Sequence, residues 1–288
     1  MASSAARPER SAAREPSAAP RSRFGFGLAA RRRAGRERGQ LTGTRVPGDL
    51  TVDGKTPPVL ALHGFGGTPF EVELAVDAAR DAGLAALAPL LPGHGTHARD
   101  LAKTRFADWS ESAERALDRV GGPAIVTGLS MGSLLALDLA VRRPESVRAL
   151  VLLGNAAWLS AHWALVFAER LGLPDFLAPK KGGSDIADRG SRESHVSYDA
   201  HPVHAAIDLR RAGERLRDRL GLVRCPTLIL HGAKDRTCPV SNAWRVAERL
   251  GTEDRRVIIF PRSRHILTRD VEKDAVQREL GAFYARFA

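Results

Sequence analysis

Gly128-Leu129-Ser130-Met131-Gly132 stands between the apolar run Pro123–Leu129 and a segment with helical periodicity, Met131–Arg142, whose apolar positions include Leu134, Leu135 and Leu139. A strand that turns sharply into a helix pushes the residue at the turn into a strained backbone conformation. It also leaves no room for a Cβ two residues to either side, which accounts for both glycines of the G-x-S-x-G pattern. The serine then stands at a helix N-terminus, in a positive dipole, as a candidate nucleophile. The pentapeptide alone occurs often by chance; its strand and helix flanks give it weight.

Working outward, short apolar runs alternate with longer amphipathic ones. Strands are expected at 58–62, 84–90, 123–129, 149–153, 227–230 and 257–260, and helices at 70–82, 109–120, 131–142, 205–220, 242–250 and 271–287. This alternation predicts an α/β fold with a mostly parallel, doubly wound sheet flanked by helices. Ligands of such sheets bind beyond the carboxyl ends of the strands, so the loops that follow strands carry the candidate site.

A serine hydroxyl needs a base to take its proton, and the base needs an acid to orient it. Past the strand at 227–230, the loop His231–Val240 presents Asp235. Past the strand at 257–260, Pro261–His265 presents His265. An Asp in a turn or a lone His means little alone, but the chain order Ser130, Asp235, His265, each at a strand end, is the order required. After the first strand, Leu62-His63-Gly64-Phe65-Gly66-Gly67 offers glycines that let backbone N–H groups face an oxyanion, and the hole is assigned to the amides of Phe65 and Met131. Gly64 is read as touching substrate. His63 and His94, in Pro92-Gly93-His94-Gly95, are read as braces for these loops, because neither falls late enough in the chain to be the base.

These segments resemble the bacterial carboxylesterase and monoacylglycerol lipase branch of the α/β hydrolases. The likeness runs from about Val59 to the C-terminus through LHGFGGTP (62–69), LPGHG (91–95), GLSMGS (128–133), CPTLILHGAKD (225–235) and SRHILTRDVEKDAV (263–276). The resemblance implies the α/β-hydrolase fold with an inserted helical cap, esterase activity through an acyl-enzyme on Ser130, short- to medium-chain esters or monoacylglycerols as substrates, and neither cofactor nor metal. Arg264 departs from it, since a small residue usually precedes the histidine; a cation there would narrow the mouth or favour acidic substrates.

The insertion, about 155–222, holds Trp158, Leu159, Trp163, Leu165, Phe167 and Leu171, too apolar to stand in water. Trp158, Trp163 and Phe167 are expected to line an acyl pocket, while others pack the cap onto the core. The glycine-containing stretch 180–188 is expected to let the cap open.

The formal charge of +11 suggests nucleic acid until it is divided: residues 1–45 hold eleven Arg against three Glu, leaving +3 for the rest. The folded part needs no phosphate partner. Residues 1–45, rich in Ala, Arg, Ser, Pro and Gly, are expected to form a disordered tail ahead of one domain at 46–288. Phe24–Ala30 is too short for a secretory core, and the uncharged stretch 149–168 is broken by Gly154, Asn155, Ser160 and His162, so neither a signal peptide nor a membrane span is expected. Cys225 and Cys238 fit neither a disulfide framework nor a metal spacing and are read as free thiols in the cytoplasm. Haloalkane dehalogenases and epoxide hydrolases place Asp at the elbow, which Ser130 argues against. An acyltransferase with the same triad, a carbon–carbon bond hydrolase and a non-catalytic ligand-binding homologue remain as alternatives.

Overall fold

The computed structural model describes residues 38–180 and 182–288. Its sheet is built from β1 (Leu50–Val52), β2 (Lys55–Leu62), β3 (Leu84–Ala88), β4 (Ala124–Leu129), β5 (Val147–Leu153), β8 (Thr227–Gly232) and β9 (Arg255–Phe260) in the order β1-β3-β2-β4-β5-β8-β9. Every neighbouring pair is parallel except β1 with β3. A second, two-stranded antiparallel ribbon joins β6 (Leu177–Pro179) to β7 (Ala200–Pro202).

Helices α1 (Glu73–Asp81), α3 (Phe106–Val120), α4 (Met131–Arg142), α7 (Val203–Arg217), α8 (Asn242–Ala247) and α9 (Lys273–Tyr284) match the expected ones to within three or four residues at most ends. The apolar helix expected to follow the strand within 149–168 is α5 (His162–Arg170), whereas the shorter α2 (Ala98–Leu101) and α6 (Arg189–Ser194) carry too few periodic positions to be read from the sequence. The three-residue strands β1, β6 and β7 escaped for the same reason.

The central strands β4 and β5 are buried almost throughout, as expected of a sheet covered on both faces. On one side Leu60, Leu62, Val126 and Leu150 meet α3, α4 and α7; on the other Val59, Ile125, Val151 and Leu228 meet α1 and α9. Register aligns the carboxyl ends: Leu62 lies opposite Gly128, Leu129 opposite Leu153, Leu153 opposite Leu230, and Gly232 opposite Phe260. The loops that leave β2, β4, β8 and β9 therefore emerge along one edge.

Two segments are tied into the domain. Ala205, Leu209, Ala212 and Leu216 of α7 belong to the main core, whereas Val203 and Ile207 pack with Leu165 and Ala168 of α5 in a separate cluster, so α7 ties the insertion to the core. Of the stretch read as a tail, residues 1–37 lie outside the described residues, whereas 38–45 are bonded to the domain. Leu41 bridges to Tyr198, Thr42 N–H donates to Ser197 O, Gly39 N–H donates to the Asp199 carboxylate, and Arg45 pairs with Glu73 while lying over the Phe70 ring. Composition could not show these pairings, because most of their partners lie about 150 residues away in the chain.

Candidate active site

Ser130 follows the last residue of β4 with φ 57° and ψ −114°, and among the described residues it is the one non-glycine residue with positive φ. Such a conformation persists only where the surroundings enforce it. Here the clamp is visible: a Cβ on Gly128 would lie 2.1 Å from Gly132 O, and one on Gly132 would lie 2.0 Å from Leu62 O. Ser130 N–H donates to Leu153 O at 2.9 Å, so the turn is also stitched to β5. The serine is 8% exposed, and its side chain faces a cavity of about 420 Å³.

His265 lines the same cavity. Its Nδ1–H donates to Asp235 Oδ2 at 2.7 Å, which in the neutral ring leaves Nε2 without a proton. Asp235 is fully engaged: Oδ1 accepts from the N–H groups of Thr237 and Cys238, both at 2.8 Å, and Oδ2 is also 3.1 Å from His231 Nε2. Burial works to raise the Asp235 pKa, but His265 and His231 outweigh it and hold the carboxyl well below the usual carboxylate range. For His265, burial works to lower the pKa, yet Asp235, with smaller contributions from Asp185 and Glu71, leaves it raised. Among the described residues Ser130 Oγ has no hydrogen-bond partner; such contacts are commonly long before substrate binds.

The loop after β2 packs against the serine. A Cβ on Gly64 would touch Ser130 Cβ at 3.4 Å. The His63 ring bridges the two loops, with Nδ1–H donating to Gly64 O at 2.9 Å and Nε2 accepting from Leu91 N–H at 3.1 Å. His94 does likewise, donating to Pro92 O and accepting from Gly66 N–H at 3.0 Å, and burial together with the neighbouring His63 pushes its pKa down to about 3. Both rings are therefore neutral braces. Phe65 N–H has no hydrogen-bond partner among the described residues, and Met131 opens α4, where a helix leaves its first N–H groups free. Two unpaired donors thus flank Ser130.

The substrate-facing residues expected in the cap are not where the sequence suggested. Trp163 and Phe167 are 76% and 64% exposed on the outer side of α5. Trp158 lies under the guanidinium of Arg245, 3.8 Å from the ring centre, and does not reach the cavity. The apolar wall comes instead from Leu159, Leu165 and Ala178 of the cap and from Val203, Ala206 and Leu209 on one face of α7. Periodicity identified α7 as a helix, but not that its first turns would roof a cavity. Polar wall residues that the sequence did not announce are Glu71, Lys180, Ser184, Asp185 and His201; Arg236 lines the cavity and Arg264 does not, its guanidinium lying near Ile186 O.

The stretch expected to hinge is a brace from Ser184 onward. Asp185 Oδ2 accepts from Arg236 N–H, Asp185 O accepts from Ile266 N–H, and Asp270 accepts from the N–H groups of Ala187 and Asp188. The carboxylates of Asp199 and Asp208, which also lie between Ser130 and His265 in the chain, are occupied elsewhere, Asp199 by Gly39 N–H and Asp208 by Phe106 N–H. Asp235, Cys238 and His265 bring potential metal-ligand atoms within 4.8 Å of one another, but both Asp235 oxygens are already saturated with hydrogen bonds. Both cysteines are free thiols.

Residues 56–272 match the family described as serine aminopeptidase, S33 (Hydrolase_4). The chain belongs to this family of α/β hydrolases. Its relatives include the thermostable monoacylglycerol lipase of Bacillus sp. (strain H-257), 30% identical over 236 residues that cover 80% of this chain and 91% of the relative. The carboxylesterase of Bacillus subtilis (strain 168) is 21% identical over 83% of this hydrolase and 96% of its own length. A solved structure of the metagenome-derived lipolytic enzymes LipS and LipT superposes with a TM-score of 0.77 at 26% identity, covering 85% of this hydrolase and all of that chain.

Proposed function

We propose that this hydrolase cleaves carboxylic esters of acyl chains, monoacylglycerols among them, through an acyl-enzyme on Ser130. The observation that carries the reading is a strained serine facing an apolar-walled cavity that it shares with a histidine already bonded to a buried carboxylate. His265 Nε2 takes the Ser130 proton as Oγ attacks the ester carbon, and the oxyanion forms against Phe65 N–H and Met131 N–H. His265 then protonates the departing alcohol, and water repeats the sequence to release the acid. Asp235 keeps the proton on Nδ1, so that Nε2 is the basic nitrogen. The name of the Bacillus relative and the apolar wall support an acyl substrate. The free thiols support a cytoplasmic setting, and among the described residues no helix is long and apolar enough to cross a membrane.

The test is hydrolysis of p-nitrophenyl esters from acetate to palmitate, with 1-monoacylglycerol alongside. Serine-dependent turnover with a preference for some intermediate chain length is expected, and Ala206→Phe should shorten that preference while sparing acetate to within about threefold. A length profile untouched by the added ring would remove α7 from the acyl pocket; no turnover of any ester would remove the esterase reading.

The pH dependence follows from His265. Catalysis needs its neutral form, and its pKa is raised, so kcat/KM falls as pH drops through a midpoint above the ordinary histidine value of about 6.5. A profile flat from pH 5 to 8 would exclude His265 as the base.

A further inference from the structure

Glu71 takes no part in the cycle above, yet its carboxylate is buried at the cavity wall, where an unneeded charge would be costly. The short helical turn Pro69–Glu71 delivers it beneath the loop after β2. Oε2 accepts from Gly64 N–H at 2.9 Å, and Oε1 is 3.1 Å from Nε2 of His195, which comes from the segment that returns from the cap. Gly67 is part of the seat, since a Cβ there would fall 2.2 Å from the carboxyl carbon. Burial opposes the charge, but His195, His63 and the Gly64 N–H outweigh it and keep the pKa down at about 2.

The rest of the loop is pinned as well. Gly66 N–H goes to His94, Gly66 O accepts from Tyr198 N–H at 2.8 Å, and Gly67 N–H goes to Gly64 O at 3.2 Å. Of the N–H groups from 64 to 67, only that of Phe65 is left without a partner among the described residues. The peptide carrying this N–H joins Gly64 to Phe65, and glycine, with no Cβ, does not set its own backbone angles. Something outside residue 64 must do so.

We propose that Glu71 is a positioning residue for the oxyanion hole, holding Gly64 N–H so that the adjoining peptide presents Phe65 N–H to the reacting carbonyl. The inference rests on the serine-hydrolase reading of the site. It separates Glu71 from a substrate contact, because a misplaced donor weakens the transition state more than the bound ester.

The experiment compares Glu71→Gln, which retains an acceptor oxygen for Gly64 N–H, with Glu71→Met, which keeps the length of the side chain and removes the acceptor. Three readouts are taken: kcat and KM on p-nitrophenyl butyrate, the rate of Ser130 labelling by a fluorophosphonate, and the thermal melt. Glu71→Met is expected to lower kcat on the order of 10²-fold, with KM within about threefold, and to slow labelling by a similar factor. Glu71→Gln should stay within about tenfold of wild type in both. A folded Glu71→Met with near-wild-type kcat, a loss confined to KM, or a Glu71→Gln enzyme slowed on the order of 10²-fold would each overturn the proposal. Where Glu71→Met does not fold, Glu71→Ala, which also removes the acceptor, is read in its place against the same outcomes. Wild type that neither turns over esters nor labels would remove the serine-hydrolase reading as well, whereas an active wild type indifferent to both substitutions removes the role of Glu71 alone.

Discussion

Ser130→Ala is expected to lower kcat for ester hydrolysis about 10⁶-fold, to the background that binding and the oxyanion donors alone sustain. The hydroxyl contributes nothing to the fold: it has no hydrogen-bond partner among the described residues and faces the cavity instead of the core. The variant should therefore melt close to wild type, and any loss of activity belongs to chemistry. Alanine keeps the Cβ and so keeps the strained turn, which Gly128, Gly132 and the Leu153 carbonyl continue to enforce. Kinetics beside a thermal melt checks both halves. Residual activity at a tenth of wild type would put the nucleophile elsewhere.

Asp235→Asn should lower kcat about 10⁴-fold with little effect on folding. The surroundings of the carboxylate dictate how the amide must sit. Thr237 and Cys238 both point N–H groups at Oδ1, so the amide oxygen has to occupy that position. The NH₂ then faces His265 Nδ1 and His231 Nε2, where the carboxylate had accepted protons. A donor facing Nδ1 moves the imidazole proton to Nε2, and the nitrogen nearest the serine loses its lone pair. The ring remains in place in the wrong tautomer, which is why the loss should appear in kcat and only weakly in KM. Steady-state kinetics of the variant, with a melt to verify folding, is the measurement. A loss of less than about tenfold would mean that Asp235 does not control the tautomer, and Asp185, whose charge also acts on His265, would be the carboxylate to substitute next.

Much of this molecule was legible because it depends on local rules. Runs such as Val59–Leu62 and Ala149–Leu153 are apolar on every residue because both faces of a parallel strand are covered, and α4 and α9 repeat with the helical period. The glycines at 128 and 132 are forced by a clash with backbone a few residues away or one strand over. Asp235 and His265 could be picked out because a strand end fixes where the following residues go. The cap obeyed no such rule. Trp163 and Phe167 are as apolar as any wall residue, yet α5 turns them outward, while the less conspicuous Val203, Ala206 and Leu209 face the cavity. Hydrophobicity states that a side chain gains by leaving water, without stating which surface it leaves water for.

Glu71 shows the same limit for polar groups. In the sequence it is one acidic residue two places after Pro69, inside the helix expected at 70–82. In the structure its oxygens meet Gly64 N–H, seven residues away, and His195, more than a hundred residues away. The sequence by itself determined the alternating parallel sheet, the strained serine between two glycines and the strand-end placement of Asp235 and His265, since these follow from periodicity, steric exclusion and chain geometry over a few residues. Tertiary structure alone decided which side chains wall the cavity, which backbone donors are left unpaired and what holds residues 38–45 in place. Those outcomes depend on partners distant in the chain, and no local pattern encodes a contact whose other half lies elsewhere.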